Sequence, residues 1–217
     1  MTAGEKSNFE VFVTDLCHGS ICDSNFNVTL EQIKDVIDQI FYGLEQLLNA
    51  KQTHNDLKPT NILYLKTGGR YNIKISDFGQ AGKRGGTPGF TAPVFHRERQ
   101  PGREDIFSAG WICLRLLCVS KELFLSLRDN YVDNINEPWM TDFRNLVEIK
   151  FISKLIDLDA QPTVQEVKDD WFKIRSSIRM IDNTRLQTVG VPSIYLKLQL
   201  ERPRLVQFTR QLKFSAY

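Results

Sequence analysis

The stretch that most constrains this chain is "HNDLKPTNILYLKTGGRYNIKISDFG", residues 54–79. Two apolar segments, "ILYL" and "NIKIS", flank the turn signal "TGG" and predict a β-hairpin. A hairpin brings its two ends back together, so the polar cluster before it must meet the polar cluster after it. The first cluster puts Asp56, Lys58 and Asn61 on one irregular loop, and the second supplies Asp77. A carboxylate can orient a hydroxyl and accept its proton. A lysine two residues on can neutralise charge on a transferring phosphoryl group. The asparagine oxygen and the second carboxylate are hard donors suited to Mg²⁺, which keeps several waters and shares its shell with phosphates.

The rest of the chain predicts a mostly α-helical body with one small β component in front. Thr29 and Gln32 form a capping-box pattern. Behind them Ile33, Val36, Ile37, Ile40, Phe41, Leu44, Leu47 and Leu48 share one helical face up to about residue 50. Residues 9–14 read as a short strand, "CHGSICDSNFN" as a loop, and residues 79–103 as a Gly-, Pro- and Arg-rich loop. A helix is expected from Asp105, with Ile106, Ala109, Cys113, Leu116 and Leu117 inward, and further helices near 121–130 and 142–157. Thr163 and Glu166 make a second capping box, followed by an apolar stripe of Val164, Val167, Trp171, Ile174 and Ile178. In the tail, apolar residues alternate over 194–200 and 206–214 around "ERPR", which reads as a second hairpin, expected to pack near strand 9–14; a basic, flexible tail is the alternative.

Composition excludes several classes. A net charge of +2 on 217 residues is not that of a general nucleic-acid or membrane binder. No apolar run is long enough to span a bilayer, and the N-terminus lacks a signal-peptide pattern. Cys17, Cys22, Cys113 and Cys118 have no CxxC spacing and read as reduced thiols of a cytoplasmic or nuclear protein.

The ordered motifs resemble the C-terminal lobe of the eukaryotic protein kinases. His54-Asn55-Asp56-Leu57 with Asn61, then Asp77-Phe78-Gly79, then Ala92-Pro93-Val94 stand where that family has its catalytic loop, its metal-binding triplet and its A-P-E motif. "GTPGFTAP" resembles the peptide-docking loop of Ser/Thr kinases, with Thr87 as its threonine, and "EDIFSAGWICLRLL" resembles their central helix, with Asp105 as its anchoring acid. The resemblance covers roughly residues 9–175. It implies ATP and Mg²⁺ as cofactors, Asp56 and Lys58 as catalytic residues, and Asn61 and Asp77 as metal ligands. It further implies backbone at Thr14 and Leu16, with Leu63, around the adenine, Thr87 at the substrate, and a protein substrate or partner kinase. His54 is expected to hold backbone rather than act as a base, and Phe78 to pack in the core. Outside this context Asp56 would read as a turn residue and Lys58 as a solvated lysine.

The chain also departs from the family. Only about ten residues precede the hinge-like strand, with no G-x-G-x-x-G, and Lys6 is too close to the hinge to serve as the strand lysine. The expected layout is therefore a remnant strand and hinge over 1–20, a kinase-like lobe over 21–180 lacking most of the N-terminal lobe, and a tail over 181–217. Asn55 replaces the family's arginine, and "QAGKRGG" after Gly79 offers no Ser, Thr or Tyr, so no phosphorylation switch is expected there. Val94 and Gln161 stand where the family pairs a glutamate with an arginine. Three readings stay open: a Ser/Thr kinase whose remaining lobe lies elsewhere, a truncated non-catalytic decoy or inhibitor of the pseudokinase type, and a scaffold. Catalysis by this chain alone is not expected, because positioning supplies most of phosphoryl-transfer catalysis and half the site is missing.

Overall fold

Thr29 starts the first helix. Its hydroxyl accepts from Gln32 N and the Gln32 amide oxygen accepts from Thr29 N, closing the expected capping box. Helix α1 spans Leu30–Asn49 and buries Ile33, Val36, Ile37, Ile40, Phe41 and Leu44. The apolar stripe ends sooner than expected. Leu48 is 37% exposed, because the last turn emerges from the core. Phe41 meets Phe151 and Trp171 edge-on at 6.0 and 6.2 Å, so α1 is the spine to which later helices attach. The computed structural model describes residues 14–83, 85–92, 102–133, 138–157 and 162–191.

The hairpin forms as expected. Strands β2 (Ile62–Thr67) and β3 (Arg70–Ile75) pair antiparallel, with Ile62 opposite Ile75 and Thr67 opposite Arg70. Gly68 and Gly69 both have positive φ, +57° and +79°, the conformation a tight two-residue hairpin turn demands. The segment expected to be a loop contains a further strand, β1 (Gly19–Ser20), which pairs with Tyr64 and Leu63 on the free edge of β2. Two residues are too few to show a periodicity. Instead this strand is fixed by ladder bonds such as Ile21 N to Ile62 O at 3.0 Å. Gly43 brings α1 close to the sheet, since a Cβ there would lie 2.7 Å from Ile75 Cδ1.

Helix α2 (Arg103–Leu117) starts two residues before its expected position. Twelve of its fifteen residues are buried, which makes it the central element of the body. Gly110 lets α5 approach it: a Cβ at that position would stand 2.7 Å from Ile156 Cγ2. Helix α3 runs Lys121–Asp133. The single helix expected over 142–157 is two, α4 (Pro138–Asn145) and α5 (Val147–Ile156), because Leu146 adopts an extended ψ of 131° between them. The second capping box opens α6 (Val164–Ile174), and Ile178 is buried after a short 3₁₀ turn rather than on the helix itself.

The body continues beyond residue 180. Ile181 N donates to Leu117 O and its carbonyl accepts from Val119 N, while Asp182 caps α7 (Asn183–Thr188). Ile181, Leu186 and Val191 are buried in the common core. Glu148, fully buried on α5, accepts from Arg179 N and pairs with Arg185 at 2.7 Å, tying this segment down. Thr14 is described and is not in a strand. The rest of the strand expected over 9–14, the tail hairpin, and the positions Val94 and Gln161 lie outside the described residues.

Candidate active site

The loop after α1 is held from below. Asp105, in the first turn of α2, accepts from His54 N and Asn55 N, each at 2.8 Å. Burial pushes its carboxyl up, and the two backbone donors oppose that shift. His54 is fully buried, with both ring nitrogens engaged. Nε2 meets the Ser76 carbonyl at 2.8 Å, and Nδ1 accepts from Asp56 N at 3.3 Å. A carbonyl can only accept and an amide N–H can only donate, so Nε2 carries the proton. The imidazole is thus a strut between the loop and the end of β3, and has no nitrogen free to act as a base.

Asn55 sits at φ +63°, a left-handed conformation that asparagine tolerates better than most residues. Its Nδ2 donates to the Lys83 carbonyl at 2.8 Å. It therefore ties the loop directly to the segment after Gly79, through a backbone acceptor that needs no phosphate.

Asp56 is 8% exposed and lies at the centre of a closed triangle. Thr87 Oγ1 donates to its Oδ1 at 2.7 Å, Lys58 Nζ donates to its Oδ2 at 2.7 Å, and Lys58 Nζ also donates to Thr87 Oγ1 at 2.9 Å. Desolvation alone would raise the Asp56 carboxyl, but the hydrogen bonds from Lys58 and Thr87 outweigh it and hold it below the usual carboxylate range. The carboxylate is ionised and already accepts from a threonine hydroxyl.

Asn61 is buried in the 3₁₀ turn Pro59–Asn61. Its Nδ2 donates to Asp56 O at 3.0 Å, and among the described residues only Thr60 reaches its Oδ1, at a long 3.5 Å. Ser76 N and Oγ both donate to the Asn61 carbonyl, at 2.9 and 3.1 Å. These bonds draw the two ends of the hairpin together, as the motif spacing implied, and set Asp77 beside Asn61 in the chain path. Asp77 has φ +63° and ψ +68°, and among the described residues only its Oδ1 is engaged, with Gly79 N at 3.4 Å. Among the described residues no group of three His, Cys, Asp or Glu side chains could hold a metal by itself.

Above Asp77 opens a cleft of about 1120 Å³, lined by Thr14, Cys17, Leu63, Lys74, Ser76 and Asp77 among others. Leu16 is 93% exposed and is not part of the lining. Lys74 was not foreseen. It stands opposite Leu63 in the ladder, on the same face, and reaches Asp15 at 3.5 Å. The alternation of β3 was the signal that could have found it, since Lys74 and Ser76 are two residues apart. Phe78, expected to pack in the core, is instead 46% exposed. One side of its ring meets His54 at 4.9 Å, and the other faces an open groove between α1 and β3.

A family model described as the protein kinase domain matches residues 2–172. The chain belongs to the protein kinase family. Curated relatives carry the same name. A calcium/calmodulin-dependent protein kinase type 1 of Macrobrachium nipponense is 32% identical over 42% of this kinase chain and 29% of its own length. "Probable serine/threonine-protein kinase fhkB" of Dictyostelium discoideum is 32% identical over 65% of the chain and 14% of its own length. A striated muscle preferentially expressed protein kinase of Danio rerio is 26% identical over 84% of the chain and 7% of its own length. The kinase chain thus spans less than a third of the length of these relatives. Among its described residues no helix is long and apolar enough to cross a membrane.

Proposed function

We propose that this chain carries the acceptor half of an ATP-dependent Ser/Thr phosphoryl-transfer site acting on protein substrates. The observation that supports the reading best is the Asp56–Lys58–Thr87 triangle, an ionised carboxylate already taking a hydrogen bond from an alcohol. In the reaction the oxygen of a substrate Ser or Thr bonds to the γ-phosphorus of ATP. The bond from that phosphorus to the β,γ-bridging oxygen breaks, its electron pair leaving with ADP. Asp56 orients the hydroxyl and takes its proton, and Lys58 offsets charge on the transferring group.

The donor set fits Mg²⁺. Asn61 presents an amide oxygen because its nitrogen is committed to Asp56 O, and Asp77 has a carboxylate oxygen without a donor among the described residues. Bound Mg²⁺ would neutralise phosphate charge there. Thr14 and Leu63, with backbone near Leu16, are the proposed wall for the nucleotide base, and Lys74 is a further cation in that cleft.

The test uses the full chain with labelled ATP, Mg²⁺ and Ser-containing peptides. Asp56→Asn is expected to lower transfer by about 10²–10⁴-fold at a cost of only about 1 kcal/mol in stability, so the chain stays folded. Undiminished transfer by that variant removes Asp56 from the reaction. If the wild-type chain binds peptides but transfers nothing, the non-catalytic reading takes over and the chain acts as a binding module for a kinase or its substrate.

A further inference from the structure

The segment from Thr87 to Thr91 is a locked turn. Phe90 N, Thr91 N and Thr91 Oγ1 all donate to the Thr87 carbonyl, at 3.1, 3.1 and 3.0 Å, and Ser108 Oγ donates to Phe90 O at 2.8 Å. Its far end rests on α3. The Phe90 ring stacks on Phe124 at 6.1 Å with an interplanar angle of 17°. On the same Phe124 ring lies the Arg128 guanidinium, 5.5 Å from the centroid. Gly89, at φ +89°, is pressed against it, and a Cβ there would lie 2.7 Å from Arg128 Nη1. A cation is therefore fixed against the turn only two residues from the threonine that touches Asp56.

Arg128 uses one edge of its guanidinium for its chain neighbour: Nε and Nη2 donate to Asp129 Oδ1 at 3.2 and 3.1 Å. Nη1 has no acceptor among the described residues. Asp129 is 58% exposed, so this pair is screened and weak. The ring beneath it and the glycine beside it hold the guanidinium flat, so little side-chain freedom remains to be lost on binding.

We infer that Arg128 is a specificity-determining residue that selects an anionic side chain within about three residues of the acceptor Ser or Thr. A hydroxyl seated at Asp56 starts beside Thr87, and an extended peptide advances roughly 3.3–3.6 Å per residue. Two or three residues on, its side chains pass Gly89 and the Nη1 edge. A carboxylate or a phosphate there gains a charge-assisted hydrogen bond, and a lysine is repelled. Lys58, a described cation that bonds to Thr87 itself, is already committed to Asp56, so Arg128 supplies the selectivity. This inference rests on the proposed phosphoryl-transfer reading only for where the acceptor hydroxyl sits.

The test is a peptide scan with the full chain. Each peptide carries one Ser among small neutral residues, plus a single Asp, phosphoserine or Lys at one of the three positions on either side. Binding is read by fluorescence anisotropy without nucleotide, and transfer separately with Mg²⁺ and ATP. Asp or phosphoserine on one side of the acceptor is expected to bind about tenfold tighter than Lys at the same position. Whether carboxylate or phosphate is preferred is read from those two arms. Arg128→Glu is expected to reverse the preference and Arg128→Ala to flatten it. Should those variants unfold, Asp129→Asn serves instead: removing the competing carboxylate should increase the acidic preference. A wild-type chain that binds Asp and Lys peptides equally, or binds none, overturns the inference. So does an acidic preference that survives in Arg128→Glu. Acid-selective binding without transfer keeps the inference and defeats the phosphoryl-transfer reading, whereas transfer without charge preference does the reverse.

Discussion

The Asp56 side of the candidate site and the Asp77 side are built differently. Around Asp56, side chains from four segments interlock. His54, Asp56 and Asn61 are buried, and each is bonded to a group that belongs to another turn of the chain or to a neighbouring element. Around Asp77 the described residues are exposed or half-buried, one long hydrogen bond from a described residue holds the carboxylate, and Lys74 and Asp15 meet across 3.5 Å with both side chains more than half exposed. The Asp56 side carries its own scaffold, whereas the Asp77 side presents polar groups with few bonds to other described residues. On the proposed function the first is a folding unit and the second a ligand shell, so substitutions should separate them: stability should fall on one side and ligand dependence on the other.

The largest expected break is at Asp105. It satisfies one buried and one half-buried N–H group at the base of the 54–61 loop and sits favourably at the start of α2. Asp105→Ala leaves both donors without partners and opens space in the core, at a cost of about 2–5 kcal/mol in urea unfolding. Asp105→Asn keeps one acceptor but turns an N–H toward the other donor, so an intermediate loss is expected. A change below about 0.5 kcal/mol would mean that the loop does not depend on this anchor.

A smaller effect is expected from acid. Asp56 is held below the usual carboxylate range by Lys58 and Thr87, so the folded state releases its proton more readily than the unfolded chain. The stability it contributes is complete above the unfolded value of about 3.9 and is lost as pH falls through the lower folded value. Asp105 is shifted the opposite way, so its protonation does not add to this loss. Comparing wild type with Asp56→Asn by urea unfolding between pH 7 and 3 isolates the contribution. The difference, about 1 kcal/mol at neutral pH, should shrink toward zero at the acid end. A difference that stays constant with pH would mean the triangle does not form in solution.

What the sequence made legible follows the same division. The hairpin, both capping boxes and the buried face of α1 could be read because local signals and the final packing agree. The motif residues could be placed because a hairpin's geometry dictates that its ends meet. What stayed hidden depends on contacts between distant segments. β1 exists because an edge of β2 was free, and two residues carry no pattern. The Glu148–Arg185 pair joins α5 to α7, and neither residue is unusual in its own helix. Phe78 reads as core by its type, yet the groove beside it is open. Arg128 became visible only once α3 was seen to lie under the turn at Gly89.

The smallest stability change, and the sharpest contrast with Asp105, is expected at Asp77. This carboxylate makes one 3.4 Å hydrogen bond and lies at the surface, so Asp77→Ala removes little packing. Its left-handed backbone is slightly easier for aspartate than for alanine, which adds a small cost. The sum should stay within about 1 kcal/mol. ATP binding should respond quite differently. Titrated with and without Mg²⁺, the wild-type chain should bind more tightly when the metal is present, and Asp77→Ala should erase that difference while keeping the metal-free affinity. Asn61→Ala should erase it too, but with a measurable loss of stability, because the Asn61 amide also braces the Asp56 carbonyl. Two ligands of one ion would then differ in what they do for the fold, because one belongs to the buried scaffold and the other to the open cleft. If Asp77→Ala instead unfolds the chain, or leaves the metal dependence intact, the division between scaffold and ligand shell fails at its clearest point.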